Sequence, residues 1–242
     1  MVTKLYEAGN HMLICADYDD PAEHCHMAAH IIVSMGTGMQ VFSGGRVISC
    51  QGILLPSGMK HRIDTCGKAA LVFLFDSTTN VSGEIQDIRV LPEEICAGIL
   101  ESYGAMEQDG AYSAFVEKVL TLLGMEHPVC CVTDPRILAA MGLIRQRLSE
   151  PLTCGEIAEY VSLSESRFSH LFRQQTGMTF AAYLICQRLM YGYSRILSGA
   201  SITEAALEAG FSSSAHFADV NRRVFGLGAS IISKNLALVH VP

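Results

Sequence analysis

Apolar residues recur in short runs in the front of the chain and in helical stripes in the back. Runs at Ala29–Ser34, Met39–Phe42, Arg46–Cys50, Gly52–Leu55 and Ala69–Phe75 are divided by turn residues at Gly36-Thr37-Gly38, Ser43-Gly44-Gly45, Pro56-Ser57-Gly58 and Cys66-Gly67. Many short strands at close spacing predict a barrel or sandwich over residues 1–90. From Pro92 the period becomes helical. Ile95, Ile99 and Leu100 form one stripe and Phe115, Val116, Val119, Leu120 and Leu123 another, which predicts a helical hairpin over residues 91–127. The segment 128–135, bounded by Pro128 and Pro135, breaks the pattern and reads as a linker. Residues 136–242 read as all helix. Ile137, Leu138, Met141, Ile144 and Leu148 share one face of the first helix, and a long helix runs from about Phe180 to Leu197. The fold class expected is α+β, a strand-built front domain with a helical hairpin, then an all-α domain.

The back domain carries one pattern twice. Cys154 to Val161, Ser162-Leu163-Ser164 and Glu165 to Gly177 repeat as Ile202 to Ala209, Gly210-Phe211-Ser212 and Ser213 to Gly226. At an offset of 48, Ala158 falls on Ala206, Ser162 on Gly210, Leu163 on Phe211 and Ser164 on Ser212. One further residue in the second copy brings Gly177 onto Gly226. Each position has a physical task in a helix-turn-helix. The alanine lets two helices cross closely, the small residue permits the tight turn, the apolar residue plugs the corner, and the serine caps the second helix. Two such units offer two recognition helices to successive major-groove segments of double-stranded DNA, about 34 Å apart.

Charge qualifies that picture. The net charge of −7 divides unevenly: residues 1–132 hold 7 Lys and Arg against 16 Asp and Glu, and residues 133–242 hold 10 against 8. The acid lies in front, and the back half is only weakly cationic, so DNA affinity is expected to need a dimer or low salt. No apolar run is long enough to span a bilayer and the start has no signal-peptide core, so a cytoplasmic protein without membrane contact is expected. Nine cysteines without paired spacing read as reduced thiols, Cys130-Cys131 in the linker included. The 11 methionines fall mostly at apolar helical positions and read as core filler.

Ile157-Ala158 with Leu163-Ser164, Phe168 to Phe172, Thr176-Gly177-Met178, Arg188-Leu189, Ile202 to Ala206 and Gly210-Phe211-Ser212 together resemble the AraC/XylS transcription regulators. The resemblance spans about residues 135–232. It implies a transcriptional regulator of promoter DNA, with two helix-turn-helix units joined by a long helix behind a front domain that binds an effector and forms a homodimer. The chain departs from the family pattern at Asp219, where arginine is usual, at Asn221, where phenylalanine is, at Ala229, near a usual proline, and at Gly192. Glycine for alanine at 192 weakens the long helix by about 1 kcal/mol. Helical spacing sets Ser166, Arg167, Ser169, His170 and Arg173 off the core face of the first recognition helix. The likeness assigns Ser166, Ser169 and His170 to base edges and Arg173 to phosphate. In the second helix Ser214, Ala215 and Ala218 face outward, and Arg222 and Arg223 are placed to hold the backbone. For each residue the alternative is an ordinary solvated helix face.

In front, His24-Cys25-His26, His30 and Pro56-Ser57-Gly58-Met59-Lys60-His61 resemble the two motifs of the cupin barrel, with His30 where the metal-binding form has a carboxylate. On a strand His24 and His26 share a face. Closed as in cupins, His24, His26, His30 and His61 would converge as ligands for a divalent transition metal, Zn, Ni, Cu or Fe, and release it below about pH 6. The alternative is a metal-free remnant in a barrel that holds a small organic effector. Three readings of the whole chain follow: a regulator controlled by a metal or small molecule and not an enzyme; a metal-dependent cupin enzyme fused to a DNA-binding module; and a degraded reader that acts through a partner.

Overall fold

The computed structural model describes residues 3–7, 11–17, 23–25, 27–225 and 236–240. His26, Gly226 and Ala229 lie outside the described residues. The chain divides into two units between Cys130 and Cys131, with the C-terminal strand assigned to the first.

The first unit contains two sheets. Its strands are β1 (Thr3–Glu7), β2 (His11–Asp17), β3 (Ala29–Ser34), β4 (Met39–Ser43), β5 (Arg46–Cys50), β6 (Gly52–Leu55), β7 (Arg62–Asp64), β8 (Ala69–Phe75), β9 (Arg89–Val90) and β10 (Leu236–His240). The large sheet runs β10-β1-β2-β8-β3-β6-β9 and the small one β5-β4-β7. All pairs are antiparallel except β1 with β10, which is parallel. The all-helical reading to residue 242 is corrected here: the apolar segment Leu236–His240 forms a strand that pairs with β1 at the edge of the front sheet.

The strand β8 shows why its sequence is a continuous apolar run: every residue from Ala69 to Phe75 is buried, so both faces of the sheet are covered. On one face Leu71, Phe73 and Phe75, with Leu13, Ile31 and Leu54, form a core with Ile99, Tyr103, Phe115 and Val119 of the helices α2 (Glu93–Asp109) and α3 (Tyr112–Leu123). A Cβ on Gly52 would sit 2.6 Å from Cys96 Sγ, so α2 lies directly on the sheet backbone there. On the other face Ile32, Ile53, Leu55 and Val72 are buried, as are Val41 and Ile63 of the small sheet. The ring of His30 on β3 meets that of His61, just before β7, so the two sheets face each other around this second apolar layer. A short helix, α1 (Asn80–Glu84), is capped by Thr79.

The second unit is helical: α4 (Pro135–Gln146), α5 (Cys154–Tyr160), α6 (Glu165–Thr176), α7 (Phe180–Leu197), α8 (Ile202–Glu208) and α9 (Ser214–Phe225). Asp134 caps α4, with Pro135 at its first position. Thr153 with Glu156 and Ser201 with Glu204 form capping boxes at α5 and α8, one for each repeat. Leu138, expected on the buried stripe of α4, is 43% exposed; Ile137, Ala140, Met141 and Ile144 carry the packing.

The linker is held from both sides. The side chain and backbone of Asn80 bond Val129 at 2.7 and 3.2 Å, within the first unit. Gln175 Oε1 accepts from the amides of Thr133 and Asp134 at 2.9 and 3.0 Å, within the second.

Candidate nucleic-acid interface

Both repeats build the predicted turn. Ser162 adopts φ +56° and Gly210 φ +79°, the left-handed conformation that reverses the chain between the helices. Leu163 N–H donates to Ala158 O and Phe211 N–H to Ala206 O, both at 2.9 Å, so the turns match bond for bond. The caps differ. Ser164 accepts from Arg167 N as expected. In the second copy the cap is Ser213, which accepts from His216 N at 3.1 Å, while Ser212 bonds the His216 ring at 3.0 Å. The expected Ser212 cap is therefore corrected. The extra residue lies before the cap, and the recognition helices α6 and α9 correspond at an offset of 49.

All five first-unit candidates, Ser166, Arg167, Ser169, His170 and Arg173, are exposed, while Phe168 and Phe172 are wholly buried. Ser169 Oγ lies 3.2 Å from Cys154 Sγ at the start of α5. On α9, Ala215, Arg222 and Arg223 are exposed, and Ser214 and Ala218 half-buried. In the 49-residue register His216 answers to Arg167, and Asp219, a departure from the family pattern, to His170; both are exposed. Asn221 is a different case. It is 0% exposed, and its Oδ1 accepts from Tyr193 O–H, so it ties α9 to α7 and takes no part in the outward face.

Cations are distributed unequally. Arg136 pairs with Asp134 at 2.7 Å, Arg147 with Glu150 at 2.6 Å, Arg195 with Glu208, and Arg223 with Asp219 at 3.2 Å. Arg188 is half-buried and spends its guanidinium on the carbonyls of Leu148 and Glu150, at 2.9 and 2.7 Å. Among the described residues of this unit, Arg145, Arg167, Arg173, Arg188 and Arg222 have no carboxylate partner, and three of these five, Arg167, Arg173 and Arg222, stand on the recognition helices.

In the first unit, His24 and His61 form an antiparallel backbone pair with both N–H···O bonds at 2.9 Å, and their ring centroids are 4.5 Å apart. His30 meets His61 edge-on at 4.9 Å. Three of the four predicted histidines thus come together. His61 Nδ1 lies 2.9 Å from Met59 O, and a carbonyl only accepts, so Nδ1 carries the hydrogen and Nε2 the lone pair. Burial, reinforced by His24, pulls the His61 pKa down to about 4 and keeps the ring neutral. Neutral imidazoles suit a transition metal, yet among the described residues no group of three or more His, Cys, Asp or Glu is arranged to hold one. A metal site at this end rests on His26 as a further ligand. Sequence reading missed His11, which stacks on Phe75 and Tyr112 at 5.4 and 5.8 Å and whose pKa burial lowers to about 4.

A family profile described as a helix-turn-helix domain matches residues 157–233. The HTH-type transcriptional regulator ArgR of Pseudomonas aeruginosa is 31% identical over 96 residues, 39% of this chain and 29% of the relative. The chain therefore spans under a third of that relative's length. Among solved structures, apo ToxT of Vibrio cholerae superposes with a TM-score of 0.65 at 10% identity, covering 96% of this chain and all of the other. ToxT bound to an unsaturated fatty acid gives a TM-score of 0.57 at 10% identity, covering 95% and 98%. No helix among the described residues is long and apolar enough to cross a membrane. The second unit thus carries a helix-turn-helix domain, and the chain shares the fold of ToxT along its length.

Proposed function

We propose that the chain is a homodimeric regulator that binds promoter DNA through α6 and α9 and answers to an effector held between the two sheets of its first unit. The carrying observation is the placement of charge. The unit as a whole is barely cationic, but its arginines without carboxylate partners concentrate on the two helices that the repeats turn outward. Arg167, Arg173 and Arg222 can meet phosphate or guanine without first breaking an ion pair, and Ser166, Ser169 and His170 lie beside them for base edges.

The effector proposal rests on the interior of the first unit. Ile32, Ile53, Leu55 and Val72 supply an apolar wall, and His24, His30 and the neutral His61 a polar end. That combination suits a small molecule with an apolar body and a hydrogen-bonding head, or a metal if His26 joins the cluster. Solved ToxT structures include one with a bound unsaturated fatty acid, which supports the small-molecule form for a shared fold. An effector changes transcription only by favouring one disposition of the units over another. The hairpin α2–α3, which buries one face on the sheet, is the proposed dimer contact.

Salt dependence tests the DNA reading. Arg173→Ala and Arg222→Ala should each weaken binding and lower the slope of log K against log salt by about 0.9. Arg195→Ala, which removes a cation already paired with Glu208, should leave the slope unchanged. Equal slopes in all four proteins would reject DNA contact by these helices.

A further inference from the structure

Resting on that reading, we infer that Asp219 is a base-specificity determinant, which makes the second unit select a base that offers an exocyclic amino group in the major groove, cytosine ahead of adenine. The caps at Ser164 and Ser213 set the register of the two recognition helices, and in that register Asp219 stands on α9 where His170 stands on α6. Under the proposed function that position faces a base, and the phosphate contact falls to Arg222, which answers to Arg173. Its side chain is 69% exposed, so it is free of the helix packing that holds Phe217 and Val220.

A carboxylate only accepts hydrogen bonds. Guanine presents N7 and O6 acceptors in the major groove and thymine O4, so both repel it. Cytosine presents the N4 amino donor. Adenine has its N6 amino group beside the N7 acceptor, which disfavours the second carboxylate oxygen. Arg223, four residues on, approaches Asp219 Oδ2 at 3.2 Å and leaves Oδ1 to accept from a base. The pair is neutral as a unit, which reduces the cost of carrying a carboxylate toward DNA. His216, one turn earlier on α9, has the opposite polarity. Its Nδ1 faces the Ser212 hydroxyl at 3.0 Å and amide at 3.5 Å; the amide can only donate, so the ring hydrogen sits on Nε2. The helix thus presents a donor at 216 and an acceptor at 219.

The test is selection of duplexes from a randomised pool by the full chain, with sequencing of the bound fraction. The wild type should show one position at which cytosine exceeds the other bases by about tenfold, the range of a single well-placed base contact. Asp219→Ala should bring the four bases at that position within about twofold and leave the other positions unchanged. Asp219→Asn should move the preference to adenine, whose N6 and N7 match an amide. His170→Ala should alter a different position. If Asp219→Ala instead tightens binding to all duplexes alike with an unchanged base profile, Asp219 only repels DNA and the inference is overturned. A wild type that selects no sequence overturns both this inference and the proposed function, so the two failures are distinguishable.

Discussion

Replacing Gly210 by alanine should unfold the helical unit far more readily than its place in a surface turn implies. At φ +79° a Cβ costs about 1–2 kcal/mol in backbone strain. The new atom would also lie 2.5 Å from Leu148 O and 2.9 Å from Arg188 Nε. Neither approach is sustainable, and because Leu148 O and Arg188 Nε bond each other, relieving either contact disturbs that bond. Arg188 bonds Leu148 O and Glu150 O, and loss of one charge-assisted bond costs about 1.5–3 kcal/mol. The sum is about 2.5–5 kcal/mol, which at a slope of about 2 kcal/mol per molar urea lowers the midpoint of this unit by roughly 1.3–2.5 M. Ser162, the equivalent position 48 residues earlier, has φ +56° and is exposed, so Ser162→Gly relieves strain of about 1 kcal/mol, largely offset by glycine's greater freedom in the unfolded chain. Urea unfolding followed by helical circular dichroism compares the pair. A Gly210→Ala midpoint within 0.5 M of wild type, on the order of 1 kcal/mol at that slope, would refute the reasoning.

Gly192→Ala should fail to stabilise the chain even though alanine is favoured in a helix by about 1 kcal/mol, because its Cβ would lie 2.8 Å from Cε2 of the buried Phe217 and overpacking costs about 1–3 kcal/mol. A rise in melting temperature would contradict this. Acid should destabilise the first unit: burial holds His11 and His61 near pKa 4, against 6.5 in the unfolded chain, so between those values the unfolded chain binds protons that the fold refuses. Stability is therefore full above about pH 6.5 and declines toward pH 4, by roughly 3 kcal/mol for each histidine. Thermal melts across that range should show the decline, partly removed by His11→Phe, and a flat profile would count against it. Elemental analysis of the wild type against the His26→Ala, His61→Ala double variant tests the metal: the proposal expects metal only in the wild type, and equal content rejects it.

The strands read in advance are β3, β4, β5, β6 and β8, each of four or more residues in a region punctuated by Gly, Pro and Ser turns, whereas β1 and β2, ahead of the first of those turns, were not singled out. β7 and β9, with three and two residues, leave too little alternation to register, and β10 sits beyond a recognition helix where a helical continuation was the simpler reading. The helix-turn-helix pairs were legible because their turns demand particular residues at particular spacings. The fine register was not. Three consecutive serines, Ser212 to Ser214, can each cap a helix, and only the bond from His216 N identifies Ser213. His216 was not singled out, and Asp219 stood out only as a departure from the family pattern. Gly192 and Asn221 look like defects when compared with a family pattern. In three dimensions the glycine makes room for Phe217 and the asparagine accepts from Tyr193, compensations between α7 and α9 that no local pattern encodes. For the histidines, strand parity sets His24 and Cys25 on opposite sides without saying which is inward; His24 is buried and Cys25 exposed, and spacing along the chain could not show how the rings meet.

Footprinting of the full chain on a selected duplex tests the central claim most directly, that both outward helices bind one DNA. The account predicts two protected major-groove segments for each chain, on one face and about 10 base pairs apart, with Arg173→Ala weakening one segment and Arg222→Ala the other. Protection of a single segment, or of none at low salt, would contradict it.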